Sequence, residues 1–247
     1  MIQPFLKSIF AYVGALRFIV SRGLWKYLIW SGLIGLGIFF GLMSIMKVWV
    51  NPFLVNVVEG WVPWDFDWIG TATEWLSIAL SSVLFISIFK YLMIIATAPI
   101  MSVLSERVER EITGQDLERS FIMNVIPDLI RSFRIVMRSL VRELLVVGLL
   151  LLLGLFPVFS LISAVLIFLV QGYYAGFGNF DYWAERHFTY RRTILELRSR
   201  KALLTGNGIV YVLILAVPIA GAFFAPPLAT VAATMNAVDS WPSAPIR

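Results

Sequence analysis

Polar positions in this chain gather into a few blocks, and the apolar stretches between them have the lengths of helices. The first stretch, Tyr27 to Val50, is about 24 residues long and carries its one charge, Lys47, near the far end. At 1.5 Å per residue, a helix of that length crosses a roughly 30 Å hydrocarbon layer. The second, Leu76 to Leu104, has about 29 residues, enough for a crossing. Pro99 is expected to kink it, and from residue 105 the run SERVERE carries the helix out into water. The third, Leu144 to Phe180, is interrupted by Pro157 and by the glycines of GYYAGFG, leaving arms of roughly 13 and 20 residues. The fourth, Gly208 to Val238, is punctuated by Pro218 and Pro226-Pro227, with arms on the order of 10 to 17 residues. Such arms predict two helical hairpins, at 144–180 and 208–238, that enter the bilayer and turn back. Their turns are tolerable where the backbone packs on protein or lines a wet cavity. Re-entrant and doubly spanning hairpins both return the chain to its starting side, and arm length favours the re-entrant form.

The remaining segments are amphipathic or charged. Between Gln115 and Leu145, Arg131, Arg134, Arg138 and Arg142 recur at steps of three and four, so they share one helix face, and apolar residues fill the rest. This predicts an interfacial helix able to hold anionic lipid. The fold class expected is therefore an all-α integral membrane protein forming one domain over residues 1–247: two long transmembrane helices (27–50 and 76–105), two partly inserted hairpins and an amphipathic helix.

Composition strengthens the membrane assignment. Of 247 residues 60% are hydrophobic and 14% charged, which is too apolar to clothe a soluble domain of this size. The placement of charge then sets an orientation. Asn51 to Trp75 holds Glu59, Asp65, Asp67 and Glu74 without a Lys or Arg, bracketed by Trp49, Trp61, Trp64, Trp68 and Trp75 in the manner of an interfacial belt. In contrast, 106–142 contains seven arginines, and Arg186 to Lys201 five arginines and one lysine. The positive-inside bias puts the N-terminus and the basic segments 106–142 and 181–207 in the cytoplasm and the tryptophan-rich loop outside. Lys7, Arg17, Arg22 and Lys26 are spread through the first residues, which is unlike a cleaved signal peptide.

Candidate chemistry is sparse. Cysteine is absent, the one histidine is His187, and there is no phosphate loop, serine elbow or paired metal-ligand motif, so no enzyme, cofactor or metal site is expected. His187, in ERHF, is expected to be solvated or interfacial. Two features point to an anion. Ser21 is placed to cap a helix whose first amides, Gly23, Leu24 and Trp25, lie beside Arg22 and Lys26, a setting suited to an oxyanion. Lys90 sits about 14 residues inside the second span, where an ionisable group is costly and faces a partner or a wet path. No acidic residue within the spans is deep enough to pair with it, so it is expected to face a permeating anion, to snorkel, to pair across an oligomer, or to lie outside the bilayer on an offset helix. Glu106, Arg107, Glu109, Arg110 and Glu111 stand at spacings where acids and bases offset each other along a helix, forming either a solvated end or a pore mouth, with Glu106 and Arg110 as pathway candidates. Gly37 and Gly41 form a GxxxG pair, reinforced by Gly32, Gly35 and Ser44, that suits close helix packing or oligomerisation.

Several of these runs resemble one family in order along the chain. SRGLWKYLIW resembles the GLR motif of the CysZ sulfate permease family, which shares a superfamily with etoposide-induced proteins. TAPIMSVLSERVEREITG is similar to the stretch that closes that family's second long helix, and MRSLVREL to its RSLxREL helix. YRRTILELRSRKALLTGNGI and PPLATVAAT resemble the approach to its last hairpin and that hairpin's end. The resemblance implies an inner-membrane protein that mediates sulfate entry for cysteine synthesis as a passive channel or permease, with no nucleotide or covalent intermediate. It places the sulfate site on Gly23, Leu24 and Trp25 with Lys26 beside them. Trp25 stands where the motif has arginine, leaving Arg22 or Lys26 to supply the cation. The partners expected are sulfate or a similar oxyanion, membrane lipids and further copies of the chain, without a nucleic acid. The alternative is a membrane scaffold that binds lipid or a protein partner without transport, a role that etoposide-induced proteins also imply.

Overall fold

The computed structural model describes residues 2–53, 56, 67–115, 121–154, 156–217 and 219–242, with side chains described outside 67–77, 79–80, 121–132 and 157. These residues form helices and connecting turns, with no strand among them. In chain order the helices are α1 (Ile2–Ser21), α2 (Trp25–Ile45, prolonged by a π-helical turn Met46–Val50), α3 (Asp67–Thr113), α4 (Phe121–Gly154), α5 (Pro157–His187), α6 (Tyr190–Ser199), α7 (Lys201–Leu215) and α8 (Ala220–Ser240). The all-α membrane architecture predicted from the apolar runs holds, and the protein is a multi-pass membrane protein.

Among the described residues five stretches, Ile2–Ser21, Trp25–Phe53, Ser81–Thr113, Val158–His187 and Ala220–Ser240, are long and apolar enough to cross, where run lengths alone single out two. α1 escaped notice because Lys7 and Arg17 dilute it. The arms of the first hairpin are α4, which ends at Gly154, and α5, which opens on its first-turn proline, Pro157. GYYAGFG lies inside α5, where its glycines serve packing instead of a turn. A Cβ on Gly176 would stand 1.9 Å from the Leu204 carbonyl oxygen, and one on Gly208 1.8 Å from that of Gly172, so α5 and α7 touch backbone to backbone. Small residues at the contact are what lipid demands, since helices there gain nothing from leaving water. Arg134 and Arg138 belong to α4 itself, so the interfacial helix and the hairpin's first arm form one continuous rod.

Pro226 and Pro227, read from the sequence as a break, sit inside α8. Proline has no N–H, so Pro226 leaves the carbonyl four residues earlier, that of Ala222, without its helical donor. Ser31 of α2 supplies one, its buried hydroxyl donating to the Ala222 oxygen at 2.9 Å. α8 is the core of the bundle. It packs on α1, α2, α3, α5 and α7, and Ala225, Ala229, Ala232, Ala233 and Ala237 are fully buried along it. Asn207 of α7 ties the same layers together: it accepts from Asn179 of α5 at 2.9 Å, donates to the Ala229 oxygen at 3.2 Å, and its carbonyl accepts from Tyr12 of α1 at 2.7 Å. Large apolar side chains instead face outward on α2 (Ile29, Trp30, Leu33, Phe40) and around the first hairpin's tip (Leu149, Leu152, Phe156, Leu161), as lipid-facing surfaces do. Gly37 and Gly41 meet no atom within contact distance. Of the acidic loop, Glu59, Trp61, Trp64 and Asp65 lie outside the described residues, as does Pro218; Asp67, Trp68, Glu74 and Trp75, read as loop, belong to α3, and Trp49 is exposed at the end of α2.

Candidate functional site

The turn between α1 and α2 is built by Gly23, whose φ of 63° is the left-handed conformation that glycine adopts freely. Its amide bonds the Val20 oxygen at 3.4 Å, and that of Leu24 bonds the Ile19 oxygen at 3.0 Å. This double bond to the last carbonyls of a helix is a Schellman motif. Two of the three amides expected to greet an anion are thus committed to closing α1. Ser21 is the last residue of α1, not the cap of α2, and its hydroxyl donates to the Phe18 oxygen at 3.1 Å. Leu24 is buried, and the side chain of Trp25 is exposed. Trp25 and Lys26 occupy the first two positions of α2, where amides have no intrahelical acceptor. The Lys26 ammonium lies 5.2 Å from the centre of the Tyr27 ring, and among the described residues it has no carboxylate partner. Arg22 reaches across to Glu111 on α3, Nη1 to Oε2 at 2.8 Å, with its side chain 52% exposed.

The last turns of α3 are therefore a hub, and its three acids diverge. Glu106 pairs with Arg110 at 3.1 Å along the helix, as the spacing predicted. Glu111 takes Arg22, and Glu109 turns inward to a buried cluster on α5. There Oε2 of Glu109 accepts from Arg186 Nη2 at 3.0 Å and Nε at 3.2 Å, while Oε1 accepts from the Trp183 indole at 2.9 Å and lies 2.7 Å from His187 Nε2. Arg186 also donates to Ser105 Oγ at 2.8 Å and to the Tyr182 carbonyl at 2.7 Å. His187, expected to be solvated or interfacial, is buried and stacked on Trp183 with centroids 4.1 Å apart. The reason is the Glu109 carboxylate, which compensates the desolvation of the ring and of the neighbouring guanidinium.

Lys90 is fully buried and not without a partner. Its ammonium lies 2.5 Å and 2.7 Å from the two oxygens of Glu143 on α4, and Tyr91 donates to the same carboxylate at 2.6 Å. Both charged side chains have zero exposure. Glu143 was missed because it follows Arg142 at the end of a basic stretch. One signal could have revealed it: Val136, Ser139, Glu143 and Val147 form the buried face of α4, so an acid stands on the apolar side of an amphipathic helix. Deeper in the bundle, the hydroxyls of Ser8, Tyr211 and Thr230 are buried and have no hydrogen-bond partner among the described residues. Also among the described residues, no group of three His, Asp or Glu could hold a metal ion.

The structure thus brings Arg22 onto Glu111 at the end of α3, beside the Glu106–Arg110 pair, and keeps Lys90 apart, fully buried with Glu143. No curated protein matches the chain. A family model described as sulfate transporter CysZ/etoposide-induced protein 2.4 matches residues 11–226, from α1 into α8. On that match, which runs across most of the chain, the protein belongs to the sulfate transporter CysZ/etoposide-induced protein 2.4 family, whose members are transporter-like membrane proteins.

Proposed function

We propose that the protein is a passive permease for a tetrahedral oxyanion, sulfate foremost, in a bacterial inner membrane, with its N-terminus and basic segments cytoplasmic and its cargo supplied to sulfur assimilation. The observation that carries this reading is the α1–α2 turn. It sets two cations, Arg22 and Lys26, beside the first amides of α2, one cation held only by an exposed ion pair and the other with no carboxylate. An ion pair in water is worth less than about 1 kcal/mol, so an arriving dianion competes for Arg22 at little cost. Lysine and backbone amides then take the place of the motif's arginine fork, which Trp25 does not provide. Further in, the hydroxyls of Tyr211 and Thr230, which have no hydrogen-bond partner among the described residues, are available to an ion along the route.

Titrating sulfate, selenate and phosphate into the purified protein tests this site. Sulfate and selenate are expected to bind, and Lys26→Ala to weaken both by roughly tenfold, the loss of one charge-assisted contact. Failure of all three anions to bind would remove the substrate class. One observation favours the scaffold reading instead: the interior cations Lys90 and Arg186 are each neutralised by a carboxylate of the same chain, as in a bundle built to stay closed. That reading predicts unchanged function in Arg22→Ala and Lys26→Ala and loss of function on changing the arginine face of α4.

A further inference from the structure

At the end of the bundle where α1 begins and α8 finishes, a cleft of about 810 Å³ opens against the junction of α6 and α7. Its lining brings together Lys7 of α1, Arg198 of α6, Arg200 and Lys201 of the junction, and Asp239 and Ser240 of α8. Lys7 is paired with Asp239 at 3.1 Å. Arg200 donates to the Ser240 carbonyl at 2.7 Å and lies 4.7 Å from the Trp241 ring centre, two neutral partners that orient its charge without cancelling it. Arg198 and Lys201 have no carboxylate partner among the described residues. Three cations from two helices and their junction thus remain uncompensated around one concavity, and the one acid present is already occupied.

We infer that this cleft is a binding site for a phosphate-bearing ligand larger than free sulfate, either the headgroup of an anionic lipid or a soluble organic phosphate. The volume lies within the roughly 300–1,000 Å³ of sites that enclose whole small molecules, well beyond a single tetrahedral ion. The chemistry of the lining suits phosphate: Arg198 and Arg200 offer forked donors that bind two oxygens at once, and Lys201 a movable third charge. Trp241 holds the Arg200 plane in place before the ligand arrives, which reduces the ordering cost of binding. The site is separate from the α1–α2 turn and does not depend on transport.

The test uses the full chain in phosphatidylcholine nanodiscs. Inorganic pyrophosphate is titrated calorimetrically, and in parallel the retention of phosphatidylglycerol is measured by native mass spectrometry. Binding of pyrophosphate alone assigns a soluble phosphate, retention of phosphatidylglycerol alone a lipid headgroup, and either supports the site. The double variant R198Q/K201Q is expected to weaken the bound probe roughly tenfold or more. D239N, which frees Lys7 into the cleft, is expected to strengthen it, and R107Q, which removes an exposed cation of α3 outside the cleft, to leave it unchanged. The opposite sign of the D239N effect separates a ligand site from a folding defect. Binding of neither probe, equal binding by wild type and R198Q/K201Q, or an equal loss in R107Q overturns the inference.

Discussion

Breaking the Lys90–Glu143 pair is the sharpest probe of the interior. In Glu143→Leu, Lys90 keeps a full charge at zero exposure with the Gln171 carbonyl 3.4 Å away and the Tyr91 ring centre at 4.8 Å, and loses both short contacts to carboxylate. Stranding one member of a buried pair costs about 3–5 kcal/mol. An independent bound agrees. The stranded ammonium escapes by shedding its proton, and from the ordinary lysine value of about 10.4 down to neutral pH that costs about 5 kcal/mol at 1.36 kcal/mol per unit. Lys90→Met strands the carboxylate, which must instead gain a proton at a similar cost of about 4 kcal/mol. The double variant Lys90→Met/Glu143→Leu removes both charges and leaves the Tyr91 and Ser87 hydroxyls without their carboxylate acceptor, a loss of about 1 kcal/mol each. Reversible unfolding in mixed SDS micelles, followed by tryptophan fluorescence, closes the double-mutant cycle. The expected coupling exceeds about 3 kcal/mol, with the double variant more stable than either single. Additive singles, or a coupling below about 1 kcal/mol, would refute the claim that this pair is dry and formed.

Other predictions follow from the same packing. Gly176→Ala drives a methyl into the Leu204 carbonyl, and unfolding should show a loss of about 1–3 kcal/mol, whereas Gly37→Ala, with nothing nearby, should gain up to about 1 kcal/mol of helix stability. A destabilised Gly37→Ala that also changes oligomer size in analytical ultracentrifugation would place a second copy on that face. Ser31→Ala removes the donor from the carbonyl that Pro226 leaves open, so stability should fall by about 1 kcal/mol, while Ser44→Ala, whose hydroxyl bonds within its own exposed helix turn, should match wild type. Arg186→Met leaves the Glu109 carboxylate to His187 and Trp183 alone and should cost about 3–5 kcal/mol, with Glu109→Gln similarly damaging in the same assay.

What could be read from the sequence was whatever is decided by local run length and charge. α2 stood out because the run from Tyr27 to Val50 is long with its one charge near the far end, and the latter part of α3 because its apolar length outweighs the lone Lys90; the i, i+4 pairing of Glu106 with Arg110 is purely local. Partners fixed by tertiary structure were hidden. Glu143 lies 53 residues from Lys90 and beside Arg142, so only its position on the apolar face of α4 marks it. His187 and Arg186 look like solvated charges until α5 is laid against Glu109. The proline pair of α8 looked like a break because the hydroxyl that satisfies its neighbour comes from α2, 191 residues away. GYYAGFG looked like a turn because glycine serves both turns and close helix contacts, and only the approach of Leu204 decides between them. At the candidate site the start of α2 was legible to within a few residues, but α1 and the use of the amides were not, since Gly23 and Leu24 spend theirs on finishing α1.

The central claim is passage of an oxyanion by way of the α1–α2 turn, and radiolabelled sulfate uptake into liposomes containing the purified protein tests it most directly. Uptake should run down the sulfate gradient without nucleotide, and Arg22→Ala/Lys26→Ala should slow it by roughly tenfold or more while the protein remains folded. No uptake of sulfate or any other oxyanion by the wild type, or equal rates in wild type and the double variant, would contradict it.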